Sequence, residues 1–170
     1  MGIFFVTLQT DILIEDSRMR FLGNIEARTD SKGRVFLPAI FRKVLQQEGV
    51  EYLVLRKDVH EKCLVLYPDR VWTEQEDFMR RKLNRWNRQE QQIFRQFVSD
   101  VELITLDSNG RFLLSQKAQA MAGIKQTVRF VGVGDTIEIW SGDEETHFMD
   151  PANYSSALEA LLGGKENPIE

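Results

Sequence analysis

Residues 28–34 read RTDSKGR, and residues 106–111 read LDSNGR. With Asp30 placed over Asp107, the residues Ser31, Gly33, Arg34 and Leu37 fall on Ser108, Gly110, Arg111 and Leu114, each displaced by 77 positions. A polar phrase written twice at a constant offset marks an internal repeat and sets the register in which the two halves are compared. The likeness continues downstream, where EYLVLRKDVHEKCLVLYP (51–68) parallels QTVRFVGVGDTIEIWSG (126–142), with Tyr67 and Trp140 closing the matching segments.

Each half reads as strand, turn, strand, short helix and two more strands. In the first, NIEAR (24–28) is a strand, DSKG (30–33) a turn, RVFL (34–37) a strand and PAIFRKVLQQEG (38–49) a helix. Pro38 sits in the first helical turn, where a missing N–H costs nothing, and Gly49 sits where helices stop. EYLVLRK and KCLVLYP then form a hairpin. The second half gives VELITL, DSNG, RFLLS, a shorter helix in QKAQAMAG ending at Gly123, and the strands TVRFVGV and TIEIWS. Strand pairs this short bury no face alone. The expected fold is therefore α+β, with each half supplying part of one barrel-like sheet of pseudo-twofold symmetry and a helical insert between them. The corresponding divisions are an N-terminal extension (1–20), a first repeat (21–70), a helical connector (71–100), a second repeat (101–143) and a C-terminal helix with its tail (144–170).

The connector has helical composition throughout, and Ile93 with Phe97 and Phe94 with Val98, each four apart, predict an apolar stripe facing the core. RRKLNRWNR (80–88) is a dense basic run around a Trp, read either as a nucleic-acid patch or, in preference, as a solvated helix face paired with nearby Glu residues. The last helix, ANYSSALEALLG, is expected to pack on or cap a sheet edge, and KENPIE to fray.

Of the 170 residues 42% are hydrophobic, enough for a core. The single cysteine, Cys63, lies in the apolar run CLVLY and reads as a buried thiol in a reducing compartment, with no internal disulfide available. No apolar stretch approaches the roughly 20 residues that span a bilayer. MGIFFVTLQT has no Lys or Arg before its apolar run and continues into DILIED, which is not the pattern of a signal peptide. Met19 is an alternative start, and the 18 residues before it are expected to be dispensable. The net charge of −4 is unevenly placed: residues 21–70 carry +2, 71–100 carry +1 and 101–170 carry −6.

Asp at the head of a turn accepts hydrogen bonds from backbone N–H groups just ahead of it, and Gly three places on takes the left-handed conformation such a turn needs. Nothing in turn geometry requires the Arg that follows. Its guanidinium either folds back onto the Asp or reaches outward to an anion or a guanine edge. Around the first phrase Arg28, Lys32 and Arg34 place three cations within seven residues, whereas the second offers Arg111 and a neutral Asn109. Phosphate contact followed by bidentate base contact calls for such a loop on a rigid strand pair. On this reading the first phrase binds DNA and the second mainly builds the scaffold.

Together FLGNIEARTDSKGRVFLPAIFR, CLVLYP, LDSNGRFLLS and IEIW resemble the MraZ family, whose members carry two tandem AbrB/MazE-type swapped-hairpin elements; the likeness runs from Phe21 to Trp140. The resemblance implies a cytoplasmic, nucleoid-associated transcriptional regulator, a repressor acting on double-stranded DNA repeats upstream of its own division and cell-wall gene cluster. It also implies a ring-shaped homo-oligomer that sets D-x-x-x-R loops side by side. Held at fixed spacing, several weak loops bind repeated DNA with a high effective concentration, which reconciles the acidic net charge with a DNA partner. Carried over, Asp30 with Arg34 and Asp107 with Arg111 are the two motif pairs, Lys32 fills the basic position and Asn109 the polar one. Arg34 and Lys32 are then the principal DNA contacts, Arg28 a phosphate contact, and Arg111 a contact to DNA or within the ring. Asp30, Ser31, Gly33, Asp107, Ser108, Asn109 and Gly110 shape the loops. The first 18 residues are extra to the family's usual start, and little beyond Trp140 aligns.

Three other readings compete with this one. An enzyme lacks support: no H-E-x-x-H, C-x-x-C pair, G-x-S-x-G or phosphate-binding Gly-rich loop occurs, so no catalytic residue, metal, cofactor or small-molecule substrate is expected. His60 reads as an exposed turn residue and His147 as part of an acidic stretch. An antitoxin of the same fold would need a long disordered tail after the last helix. The third rival is a ring-forming structural or interaction scaffold in which Asp and Arg pair between subunits.

Overall fold

The computed structural model describes residues 20–143 and 148–164; Met19 and the extension before it, His147 and the tail from 165 lie outside them. The first phrase joins β1 (Phe21–Arg28) to β2 (Arg34–Phe36), followed by α1 (Ala39–Gln47) and the hairpin β3 (Leu53–Lys57) and β4 (Leu64–Pro68). Two connector helices, α2 (Asp69–Lys82) and α3 (Arg88–Ser99), lead to β5 (Glu102–Ile104). The second phrase then turns the chain into β6 (Arg111–Leu113), α4 (Gln116–Ala122), β7 (Thr127–Gly134), β8 (Ile137–Ser141) and a last helix α5 (Pro151–Leu162).

Six strands form one antiparallel sheet in the order β1-β7-β8-β4-β3-β5, and β2 pairs separately with β6. The first strand of each repeat lies beside the third strand of the other, Phe21 to Arg28 running opposite Gly134 to Thr127 and Glu102 to Ile104 opposite Leu55 to Leu53. The two final strands, β4 and β8, meet in the middle. Exchanging the repeats therefore reverses the strand order onto itself, which is the pseudo-twofold relation expected. The closed barrel is not found. The sheet is open, with β1 and β5 at its ends, because the strands that would bridge them leave the ladder at the two tight turns and pair with each other.

The three-residue ribbon β2–β6 covers the core by simple alternation. Val35 and Phe112 point inward and are buried, while Phe36 and Leu113 are each 54% exposed on the other face. Phe112 meets Phe130 of β7 edge-on at 6.3 Å, and Phe21 of β1 meets Phe41 of α1 at 5.8 Å. α1 buries Phe41 and Leu45, one helical turn apart, and α4 buries Ala118 and Ala122 at the positions 77 residues on. Large side chains on one helix and methyl groups on the other show how the two halves diverged while sharing one core. Pro38 stands immediately before α1 rather than within its first turn. Gly49 and Gly123 follow the helices at φ +64°.

Cys63 is completely buried, and burial pushes its thiol pKa up to about 12. His60 is exposed in the β3–β4 turn, its N–H donating to Asp58 Oδ1 at 3.0 Å. The connector is not one continuous helix. Leu83 is extended, and a cap at Asn87, whose side chain accepts the Glu90 N–H, starts α3 afresh. Nor does α3 present its stripe to the core, since none of its residues is buried. Phe97 stacks on Trp72 of α2 at 5.1 Å, Phe94 lies 5.0 Å from the Arg80 guanidinium and Ile93 is 46% exposed. The basic run is solvated, with Arg80 to Glu76 at 3.5 Å its one ion pair among the described residues. α5 neither packs on nor caps a sheet edge: it buries no residue.

Candidate nucleic-acid interface

Both phrases fold into the same turn. Asp30 Oδ1 accepts the backbone N–H groups of Lys32 and Arg34, each at 2.9 Å, and Asp107 Oδ1 accepts those of Asn109 and Arg111 at the same distance. The Gly33 and Gly110 N–H groups close each turn onto the Asp carbonyl at 3.0 Å. Those glycines adopt φ +83° and +81°, where a side chain is strained. Each turn glycine also ties the two repeats together, its carbonyl accepting from Leu114 N–H (Gly33) or Leu37 N–H (Gly110) at 2.9 and 3.0 Å. The loops are thus held back to back by the ribbon they introduce.

Sequence alone left two positions open to the arginines, and the structure shows the fold-back one in both loops. Arg34 Nε donates to Asp30 Oδ2 at 2.7 Å and Arg111 Nε to Asp107 Oδ2 at 2.9 Å. Among the described residues only Nε is engaged, so the carboxylate fixes the guanidinium without using its terminal nitrogens. The two arginines then differ. The Arg111 side chain is 24% exposed and lies over the Phe36 ring at 5.7 Å, while that of Arg34 is 36% exposed.

Both aspartates have lowered pKa values. In each loop the largest cause is the hydrogen bond from the arginine's backbone N–H, opposed by desolvation and reinforced by the guanidinium and by the N–H two residues after the Asp. A depressed folded pKa means that the carboxylate's stabilising contribution is complete above the ordinary value of 3.8 and is lost as pH falls through the lower folded value. Carboxyl-carbon chemical shifts of Asp30 and Asp107 should titrate with midpoints below 3.8. A midpoint at or above it would show that the turns are not formed in this way.

The first loop rims an open groove whose far side comes from the second repeat. Lys32 faces it from the loop, Gln116 and Gln119 from α4, and Lys125 and Gln126 from the segment before β7. Arg28 joins this group by donating to Gln126 Oε1 at 3.0 Å. Ser31 and Lys32 are exposed, and neither Lys32 nor Lys125 has an acidic partner among the described residues. The equivalent groove beside the second loop, of about 310 Å³, has a different character. Arg42 stands where α4 has Gln119, donates to the Asn109 carbonyl at 3.2 Å and packs across Gly110, and Glu51 adds a carboxylate to the lining. Asp107, Ser108 and Asn109 are exposed on its rim. The structure places Lys32 on the first groove, Arg28 against Gln126 on its far wall, Arg34 on Asp30 at its rim, and Arg111 beside Phe36. Lys125 and the three glutamines escaped sequence reading, because no linear spacing relates a short helix-to-strand link to a turn some 95 residues earlier.

The family model described as "MraZ protein, putative antitoxin-like" matches residues 20–96. A protein of Phocaeicola vulgatus named Transcriptional regulator MraZ is 57% identical over 150 residues, covering 88% of this chain and 97% of its own. The chain belongs to the MraZ family. Other MraZ relatives bear the same printed name: one from Bacteroides fragilis is 52% identical over 85% of this chain and 92% of its own, and one from Serratia proteamaculans is 32% identical over 76% and 83%. An alignment of 150 positions in 170 takes in both phrases, so MraZ similarity extends beyond the first repeat and the connector.

Proposed function

We propose that this MraZ family member is a sequence-specific DNA-binding transcriptional regulator, a repressor that acts on tandem DNA repeats upstream of its own division and cell-wall gene cluster. It works as a ring-shaped homo-oligomer on the nucleoid, in the cytoplasm, and each repeat is a swapped-hairpin element of the AbrB/MazE kind. The observation that carries the DNA reading is the asymmetry between the loops. Lys32 and Lys125 line the first groove, with Arg28 bonded to Gln126 on its far wall and Arg34 to Asp30 on its rim, whereas the second has Asn109 in place of a lysine, Arg42 held by the Asn109 carbonyl, Arg111 over the Phe36 ring and the extra carboxylate of Glu51. Lysines at the groove rim neutralise phosphates and set the register, while Arg34, preset by Asp30, offers its terminal nitrogens to a base edge. The relatives' printed name agrees with this role.

A scaffold held together by Asp–Arg pairs between subunits is the second reading. One observation favours a protein partner: Phe36 and Leu113 stand exposed among the arginines of the ribbon. Against Asp–Arg pairing between subunits, each Asp already holds its own Arg.

Binding to labelled DNA from upstream of the protein's own gene, followed by fluorescence anisotropy across a salt series, tests the reading. Two engaged subunits would neutralise about six phosphates, so affinity should fall on the order of 1,000-fold between about 50 and 200 mM salt. No binding, or binding indifferent to salt, contradicts the proposal.

A further inference from the structure

Two surfaces of this chain are left uncovered, and they are opposite in charge. The first is α5. All twelve of its residues are exposed, with Tyr154, Leu161 and Leu162 at 57%, 61% and 59%, and Phe148 and Met149 just before it are equally open. A lone helix of this length is marginal in water and draws its stability from packing. Tyr154, Leu158 and Leu161, at i, i+4 and i+7, supply one apolar stripe to pack with. The surrounding sequence, residues 141–164, has five acidic residues and no Lys or Arg.

The second is the tip of the helical connector. Residues 80–88 hold five basic residues and no acidic one. Trp86 at that tip is 96% exposed, with Phe78 at 48% and Ile93 at 46%. The tip is a built turn: Asn84 Oδ1 accepts the Trp86 N–H at 2.9 Å, and Glu90 Oε2 accepts the Asn84 N–H at 2.6 Å. An ordered turn presenting an almost fully exposed Trp among arginines is a docking surface for an apolar, acidic segment.

We infer that the C-terminal helix of one copy docks on the connector tip of a second copy. Tyr154, Leu158 and Leu161 cover Trp86, and Asp150 and Glu159 face Arg85 and Arg88. Charge complementarity selects the occupant, because the chain itself carries the acidic, apolar helix that the basic, apolar tip fits. Each copy offers one helix and one tip, so the contact is heterologous and can pass from copy to copy. It requires a second copy but not DNA, and therefore stands apart from the role proposed for the first loop.

Tryptophan emission reads the contact directly, since Trp72 and Trp140 are already buried and only Trp86 has water to lose. Emission and light-scattering mass should be followed over a dilution series for the wild type, a Leu158→Glu/Leu161→Glu variant and a Trp86→Ala variant. Neither variant disturbs the core, because α5 and Trp86 contribute nothing to it. The wild type should show a blue shift that grows with concentration. The helix variant should lack it, and both variants should need about tenfold more protein or higher to assemble. Mixing the variants, one with an intact tip and the other with an intact helix, should restore the blue shift. A blue shift independent of concentration would mean docking within one chain and overturn the inference. So would one that survives in the helix variant, or wild-type emission that never shifts. Both variants retain Arg34 and Lys32, so failure here leaves DNA binding by the first loop to be judged on its own measurement.

Discussion

Replacing Arg34 by Ala is expected to lower affinity for the chain's own upstream DNA on the order of 100-fold or more, with little change in folded stability. One bidentate arginine–base contact is worth about 1–3 kcal/mol of discrimination, and several copies engaged on repeated DNA multiply the loss. Stability changes little because the Asp30–Arg34 ion pair is exposed and solvent screens it. The turn itself rests on Asp30 Oδ1 and two backbone N–H groups, which Ala at position 34 retains. Arg111→Ala is the control. Its side chain is more covered and its groove holds Glu51, so its loss should cost clearly less binding. Equal affinities of Arg34→Ala and the wild type, in the same anisotropy titration, would remove the first loop from recognition.

Replacing Phe130 by Ala should have the largest effect on stability. Phe130 is completely buried on β7 and meets Phe112 on the underside of the ribbon that carries both loops. Truncating a buried Phe opens a cavity and typically costs about 3–5 kcal/mol. For a chain of this size that corresponds to a fall in Tm of roughly 6–20 °C. Phe36→Ala, on the outer face of the same ribbon, should shift Tm far less, because it gives up an exposed ring and a cation–π contact of about 1 kcal/mol or less. Thermal unfolding followed by circular dichroism would separate the two. A small shift for Phe130→Ala would mean that the ribbon is not seated on the sheet as described.

The repeat was legible because its signals are local. Asp, Gly and Arg at fixed spacing dictate one turn, and alternating apolar residues dictate the strands on either side. The same 77-residue offset places Phe41 over Ala118 and Leu45 over Ala122, so even the helix faces follow from the register. Sheet closure was not legible. Whether β2 and β6 join the ladder or pair with each other depends on contacts between segments far apart in sequence, and three-residue strands carry too little pattern to decide it. The connector failed differently: Ile93, Phe94 and Phe97 have the spacing of a core-facing stripe, but Phe94 and Phe97 meet Arg80 and Trp72 on the neighbouring helix and Arg56 of β3, and Ile93 is 46% exposed. Spacing shows which residues share a face and says nothing about what that face meets.

At the candidate site the cations of the first loop were readable, because Arg28, Lys32 and Arg34 lie within one short phrase. Its other wall was not, since Lys125 and Gln126 reach the loop only through β1–β7 pairing, in which Arg28 stands opposite Thr127. The direction of the arginines was not readable either. Fold-back onto Asp and readiness for a base edge looked like alternatives in sequence, yet bonding through Nε alone makes the first a preparation for the second.

The most direct measurement is the light-scattering mass of wild-type protein and of Arg34→Ala, each with and without the protein's own upstream DNA. Both should show the same mass alone, and only the wild type should gain the mass of bound DNA. A variant that falls apart into smaller particles would place Arg34 in the subunit contacts, and one that still carries DNA would contradict recognition by the first loop.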